Sequence, residues 1–227
     1  MWRDDGVPMN VPLMNTESNI TWDLSEYMTE LISALWLADS VGSFLTYSGP
    51  GAVYYHSPIQ PEPLREGCRG YSTYGNFVAD DHLNISQYTA QYFASRLINL
   101  EWVKHGAGNH QLFSATADLK DEAGNTLITA YPVKQPSGEW SVMLINKDPS
   151  NAHEVQIQFA EEGAIREFTG ALNSIVFGSA QYMWHSQGAK SHADPDGPPV
   201  TTTLNATKGQ SFLLPKASIT ILRGRTE

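Results

Sequence analysis

The chain has one cysteine, Cys68, so it can form no internal disulfide and no cysteine-based zinc site. It has few cations: 14 Lys and Arg against 24 Asp and Glu, for a formal net charge of -10. A phosphate-binding surface needs clustered Lys and Arg, and no such cluster occurs, so nucleic acid is not an expected partner. Apolar runs are short. The longest, Leu31 to Val41, is broken by Ser33, Asp39 and Ser40, so no membrane span is expected. The start, Met1-Trp2-Arg3-Asp4-Asp5, lacks the basic lead and apolar run of a signal peptide. No Gly-x-Ser-x-Gly, phosphate loop or dinucleotide fingerprint is present, and no cofactor is expected.

What is present suffices for a core. Hydrophobic residues make up 41% of the 227 and charged residues only 17%, which is not the composition of a disordered chain. The length does not allow a complete (β/α)8 barrel, which takes about 250 residues, together with an ordinary appended domain.

The pattern changes near residue 104. Before it, Val11 to Thr16 reads as a short buried strand. Asp23 and Glu26 read as a capping box opening a helix that Gly42 ends. Its apolar positions are Tyr27, Met28, Leu31, Ile32, Leu35, Trp36 and Ala38. Phe44 to Tyr47 and Ala52 to His56 read as extended. A Gly- and Pro-rich loop follows to about Gly75, then a helix over Ser86 to Leu100. Strand, helix, strand, loop, helix is the order of an α/β unit. After residue 104, strand signals fall at Gln111–Ala117, Thr126–Val133, Trp140–Asn146, Glu154–Phe159, Ile175–Phe177, Gln181–His185, Phe212–Leu214 and Ser218–Leu222, separated by turns. Val155, Ile157 and Phe159 alternate with Gln156 and Gln158, as in a strand with one wet face. This half reads as an antiparallel β-sandwich.

Glu17 lies just past the end of the first strand. Catalytic groups of parallel α/β folds sit at strand carboxyl ends, so Glu17 is a nucleophile, base or metal ligand on one reading and a surface Glu on the other. Tyr54, Tyr55 and His56 end the next strand. They suit sugar stacking and hydrogen bonding, or core packing beside a surface His. His185, His192, Asp194 and Asp196 lie in a stretch that reads as a polar turn rather than a metal site. Cys68 has basic neighbours that would lower its pKa, but no surrounding motif supports a thiol enzyme.

The strand ending Met14-Asn15-Thr16-Glu17-Ser18-Asn19 resembles the seventh barrel strand of clan A glycoside hydrolases, where the Glu of a terminal Thr-Glu is the nucleophile. Ser33-Ala34-Leu35-Trp36-Leu37-Ala38-Asp39 resembles the clan's seventh helix, Ala52-Val53-Tyr54-Tyr55-His56 its eighth strand, and Gln87 to Leu100 its eighth helix. The segments Trp140 to Lys147 and Leu214 to Leu222 resemble the β-sandwich that follows the barrel in family 39-like proteins and in families 30, 51 and 79.

The resemblance implies an α+β protein. Residues 1–104 would be a partial (β/α)8 barrel segment from strand seven to helix eight, and 105–227 an antiparallel β-sandwich. It implies a retaining glycosidase acting on a carbohydrate, with Glu17 as nucleophile and Asn15, Tyr54, Tyr55 and His56 around the sugar, without metal. The clan's acid/base follows strand four, usually in Asn-Glu, and no Asn-Glu occurs in the chain. The chain therefore resembles the C-terminal part of a longer enzyme, inactive alone. Its expected partner is the missing N-terminal barrel segment or a second copy. The other class of function is a non-catalytic carbohydrate-binding or domain-docking module. The compartment is not readable, a secreted or periplasmic parent being one option.

Overall fold

The structure is a computed structural model and describes residues 4–8, 10–55, 61–161 and 163–227. Helix and strand are mixed. The chain is organised around a six-stranded, wholly antiparallel sheet. Its order is Val200–Ala206, Phe168–Gly178, Ser218–Thr226, Trp140–Asn146, Ile128–Lys134 and Gln111–Leu112.

Both faces of this sheet are apolar. Alternate residues of a strand point to opposite sides, and here the alternation sorts side chains into two cores. Tyr131, Val133, Met143, Ile145, Ile175, Phe177, Ile219 and Ile221 face helices. Ile128, Val142, Leu144, Leu172 and Leu222 face a second layer of short strand pairs. That layer pairs His153–Gln156 with Ser211–Leu214, and Phe159–Glu161 with Ala164–Arg166. Every residue of Trp140–Asn146 is buried, as a strand covered on both sides must be.

Two helices cover the first face. Helix α1 spans Leu31–Tyr47 and helix α2 spans Ala90–Arg96, which continues as a wider π turn over Leu97–Trp102. The π turn carries Leu97, Ile98 and Trp102 into the core, where the Trp102 indole donates to the Tyr131 carbonyl at 2.8 Å. Asp39 of α1 is the polar clamp. It accepts from Tyr131 Oη at 2.6 Å and Thr129 Oγ1 at 2.5 Å, with Lys147 Nζ 3.5 Å away. This core crosses residue 104, because α1, α2 and the sheet all contribute to it.

The first region contributes one parallel strand pair, Met14–Asn15 with Val53–Tyr54, joined through α1. Several elements differ from the sequence expectation. Asp23 and Glu26 do not open the long helix. Ser25 caps a separate 3-10 turn, Glu26–Met28, and α1 begins at Leu31. Phe44 to Tyr47 is helical, so Gly42 lies inside α1 rather than ending it. Gly42 is there for close approach, since a Cβ would overlap the Tyr131 ring. The expected helix from Ser86 opens as a strand, Ile85–Tyr88, paired with Phe77–Ala79. His192–Asp196 is a strand paired with Tyr182–His185, not a turn.

The turn after Trp140–Asn146 is held by its own side chains. Asn146 Nδ2 donates to the carbonyls of Asn151 and Pro215 at 3.0 and 2.9 Å. Asp148 accepts from the backbone N–H groups of Ser150 and Asn151 at 2.8 and 3.0 Å, and His153 Nε2 lies 2.9 Å from it. The Ser150 N–H, then the Asn151 and His153 side chains, hold the Asp148 carboxyl well below the usual carboxylate range.

Two outcomes follow for stability. Gly42→Ala gains helix propensity but drives a methyl into a ring tethered by Asp39. Equilibrium urea unfolding should show a net loss of about 1–3 kcal/mol. Asp148, whose pKa falls on folding, contributes stability that is present above the unfolded value of about 3.9 and lost as pH falls toward the folded value. The drop in urea midpoint between pH 6 and pH 2.5 should therefore be smaller in Asp148→Asn than in the parent, and an equal drop would rule out this role.

Candidate active site

The parallel pair sets where the site residues sit. The Val53 N–H donates to the Leu13 carbonyl and the Tyr55 N–H to the Asn15 carbonyl, both at 2.9 Å. The two strands run the same way, so their carboxyl ends emerge side by side, and Glu17 and Tyr55 leave from the same end. The Glu17 N–H donates to Asn15 Oδ1 at 3.2 Å. This turn directs the chain off the strand and fixes Asn15 in a backbone role. Glu17 is exposed, and among the described residues its carboxylate makes no hydrogen bond or ion pair.

The two tyrosines have different surroundings. Tyr54 is half-buried and packs on the helical core, its ring edge-on to Phe44 with centroids 5.5 Å apart. Tyr55 is 50% exposed. The structure therefore brings Asn15, Glu17 and Tyr55 to one end of the strand pair and turns Tyr54 toward α1. His56 lies outside the described residues.

The loop after Glu17 is anchored at two points. Asn19 Oδ1 accepts from Gln91 Nε2 at 2.8 Å, tying the loop to the first turn of α2. Farther on, a hairpin pairing Arg65–Gly67 with Gly70–Ser72 closes over residues 24–27. The Cys68 N–H donates to the Leu24 carbonyl and the Glu26 N–H to the Arg69 carbonyl, both at 3.0 Å. Arg69 also donates to Tyr27 Oη, with its guanidinium 5.0 Å from the ring centre.

This hairpin sets the surroundings of Cys68. Loss of water contact and the nearby Asp23 carboxylate push the thiol pKa up, outweighing Arg69, so the basic neighbours do not make it a ready thiolate. The hairpin also reveals a residue the sequence did not single out. Partial burial and the Glu26 carboxylate raise the Glu30 pKa against the pull of Arg69. The periodicity of α1 gave no sign of this, because burial, the largest cause, is set by packing rather than by spacing along the helix.

Elsewhere, His185 and His192 stack with ring centres 5.5 Å apart on the Tyr182–Asp196 hairpin, and His185 Nε2 lies 2.9 Å from the Asp194 carbonyl. Among the described residues, no three His, Cys, Asp or Glu side chains are grouped to hold a metal ion. No helix among them is long and apolar enough to cross a membrane.

The mixed helix and strand fold is similar to part of several solved glycoside hydrolase chains. The chain is similar to a GH30 endoxylanase from Clostridium papyrosolvens C71, with TM-score 0.55 and 14% identity over 99% of this chain and 44% of that one. It is similar to the GH51 α-L-arabinofuranosidase of Thermotoga petrophila RKU-1, with TM-score 0.60 and 12% identity over 97% and 44%. The GH51 arabinofuranosidase of Xanthomonas axonopodis pv. citri gives TM-score 0.59 and 15% identity over 98% and 43%. The chain thus spans less than half the length of each. At these identities the likeness is one of fold. No protein-family model and no curated protein matches the sequence.

The different surroundings of the tyrosines give a direct comparison. Tyr54→Ala removes a ring packed on the core and should cost roughly 2–4 kcal/mol. Tyr55→Ala should stay within about 0.5 kcal/mol of the parent. Thermal unfolding of both variants, read by far-UV circular dichroism, checks the pair, and equal losses would remove the distinction.

Proposed function

We propose that residues 1–227 are the C-terminal part of a retaining glycoside hydrolase acting on O-glycosidic bonds. In this reading Met14–Asn15 and Val53–Tyr54 are barrel strands seven and eight, with α1 and the α2 region as their helices, and the six-stranded sheet belongs to the following β-sandwich. The observation that carries it is the placement of Glu17 two residues past its strand, at the same end as the carboxyl terminus of the paired strand. The glycoside hydrolase chains that share the fold support it.

Double displacement needs two carboxyl groups about 5–5.5 Å apart. Glu17 is the one that attacks the anomeric carbon, with its backbone held by Asn15 Oδ1. The second, which protonates the leaving oxygen and then activates water, comes from the part of the barrel these residues do not include. Tyr55 and His56 offer a ring face and a hydrogen-bonding group to the sugar. Tyr54 acts from behind, fixing the strand against α1.

Two measurements test this. The isolated polypeptide 1–227 should hydrolyse aryl xylosides and aryl arabinofuranosides little or not at all, and robust turnover would contradict the division of carboxylates. In the longest natural polypeptide that contains these residues, Glu17→Gln should lower kcat by roughly 10⁴-fold or more while substrate binding persists. Full activity in that variant removes Glu17 as nucleophile. Binding without any activity in the parent favours a carbohydrate-binding module.

A further inference from the structure

A buried amide sits in the first turn of α2. Gln91 is 1% exposed, beside Ala90 and Phe93 of the helical core. Burying an amide without a partner costs free energy that an apolar residue of similar size does not. Gln91 has a partner outside the helix. Its Nε2 donates to Asn19 Oδ1 at 2.8 Å, across 72 residues of chain.

Asn19 lies two residues past Glu17 and is held at three points. Besides the Gln91 bond, its Oδ1 accepts the Ile20 N–H at 2.8 Å, and its Nδ2 donates to the Tyr74 carbonyl at 3.5 Å. Two residues before Glu17, Asn15 Oδ1 accepts the Glu17 N–H at 3.2 Å. Two asparagines therefore bracket Glu17. One belongs to the strand from which the chain turns, and the other is tied to α2. The Glu17 carboxylate makes no hydrogen bond or ion pair among the described residues, so the backbone between the two brackets sets where it stands.

The anchor beneath Asn19 is itself fixed. Thr89, just before α2, is fully buried, and its N–H and Oγ1 both donate to the Asn76 carbonyl, at 3.0 and 3.1 Å. Ala90, Phe93 and Ala94 pack in the core. Gln91 thus reaches the loop from a backbone that is held on both sides. The nearby Gln87 makes the same kind of bond to a different place. Its Nε2 donates to the Ala193 carbonyl at 3.0 Å, on the Tyr182–Asp196 hairpin rather than on the Glu17 loop.

We infer that Gln91 is a positioning residue for Glu17, acting through Asn19. The inference rests on the reading of Glu17 as nucleophile. Attack on an anomeric carbon tolerates little error in the place of the attacking oxygen, and a shift of about 1 Å costs on the order of 10²-fold in rate. A carboxylate with no direct partner has only its loop to hold it against such a shift. A methionine at position 91 would fill the same space and would release the loop on its α2 side. The Gln91–Asn19 bond touches no group proposed to hold the sugar, so its loss acts on kcat rather than on KM.

The test uses Gln91→Met, which keeps the side-chain length and removes the donor, together with Asn19→Ala, the double variant, and Gln87→Met as the structural control. In residues 1–227, hydrogen exchange at the Ile20 amide should be roughly 10-fold faster or more in Gln91→Met and unchanged in Gln87→Met. In the longest natural polypeptide containing these residues, with aryl xylosides and aryl arabinofuranosides, Gln91→Met should lower kcat by roughly 10- to 100-fold and hold KM within about threefold. Asn19→Ala should do the same, and the double variant should be no worse than the weaker single variant, because both remove one bond. Gln87→Met should keep kcat within about twofold. An unchanged Ile20 amide, additive losses in the double variant, or equal losses of kcat in Gln91→Met and Gln87→Met would overturn the inference. If Gln91→Met keeps full turnover while Glu17→Gln abolishes it, the nucleophile stands and the positioning role falls alone. If Glu17→Gln keeps full turnover, the reading of Glu17 falls first and the inference with it.

Discussion

The rest of the structure depends on the two-sided burial of the Trp140–Asn146 strand. A strand covered on both faces contributes every side chain to a core, and each large apolar residue buried stabilises the fold by about 1.5–3 kcal/mol. Met143 and Ile145 serve the helical side, and Val142 and Leu144 serve the other. Because one strand serves both cores, neither layer is independent of the other. The same requirement accounts for Asp39, a partly exposed carboxylate that receives two sheet hydroxyls and so fixes where α1 lies on the sheet.

The candidate site is attached to this frame at one remove. Its parallel strand pair is two residues deep on each side, too little to stand alone. It is positioned by α1 and by Tyr54 against Phe44, while Val53 and Met14 stay 46% and 65% exposed. The strand pair is buried on its helical side and open on the other.

The sequence showed more of the frame than of its joints. Trp140–Asn146 was readable to the residue, because a largely apolar run between turn signals leaves little room for another reading. Val200–Ala206 was not, since its Val-Thr-Thr-Thr-Leu run is exposed almost throughout and offers no apolar alternation. Gly42 looked like a helix end because its function, close approach to Tyr131, depends on a residue of the sheet. The Asp23 and Glu26 signal was spent on a short 3-10 turn capped by Ser25. At the candidate site, the sequence singled out Glu17 and the tyrosines, but only packing could separate Tyr54, turned inward, from Tyr55, turned out. Glu30 was not singled out, because its main cause is burial, which only packing sets, although Glu26 lies just four residues before it.

The glycosidase account stands on which carboxylate forms the bond to the sugar. Mechanism-based labelling measures that directly. The longest natural polypeptide containing these residues is treated with dinitrophenyl 2-deoxy-2-fluoro glycosides of xylose and arabinofuranose, whose leaving group departs without acid assistance. It is then digested and mapped by mass spectrometry. The account predicts one glycosyl adduct per chain, on Glu17. An adduct on any other carboxylate, or turnover that inverts the anomeric centre, would contradict it.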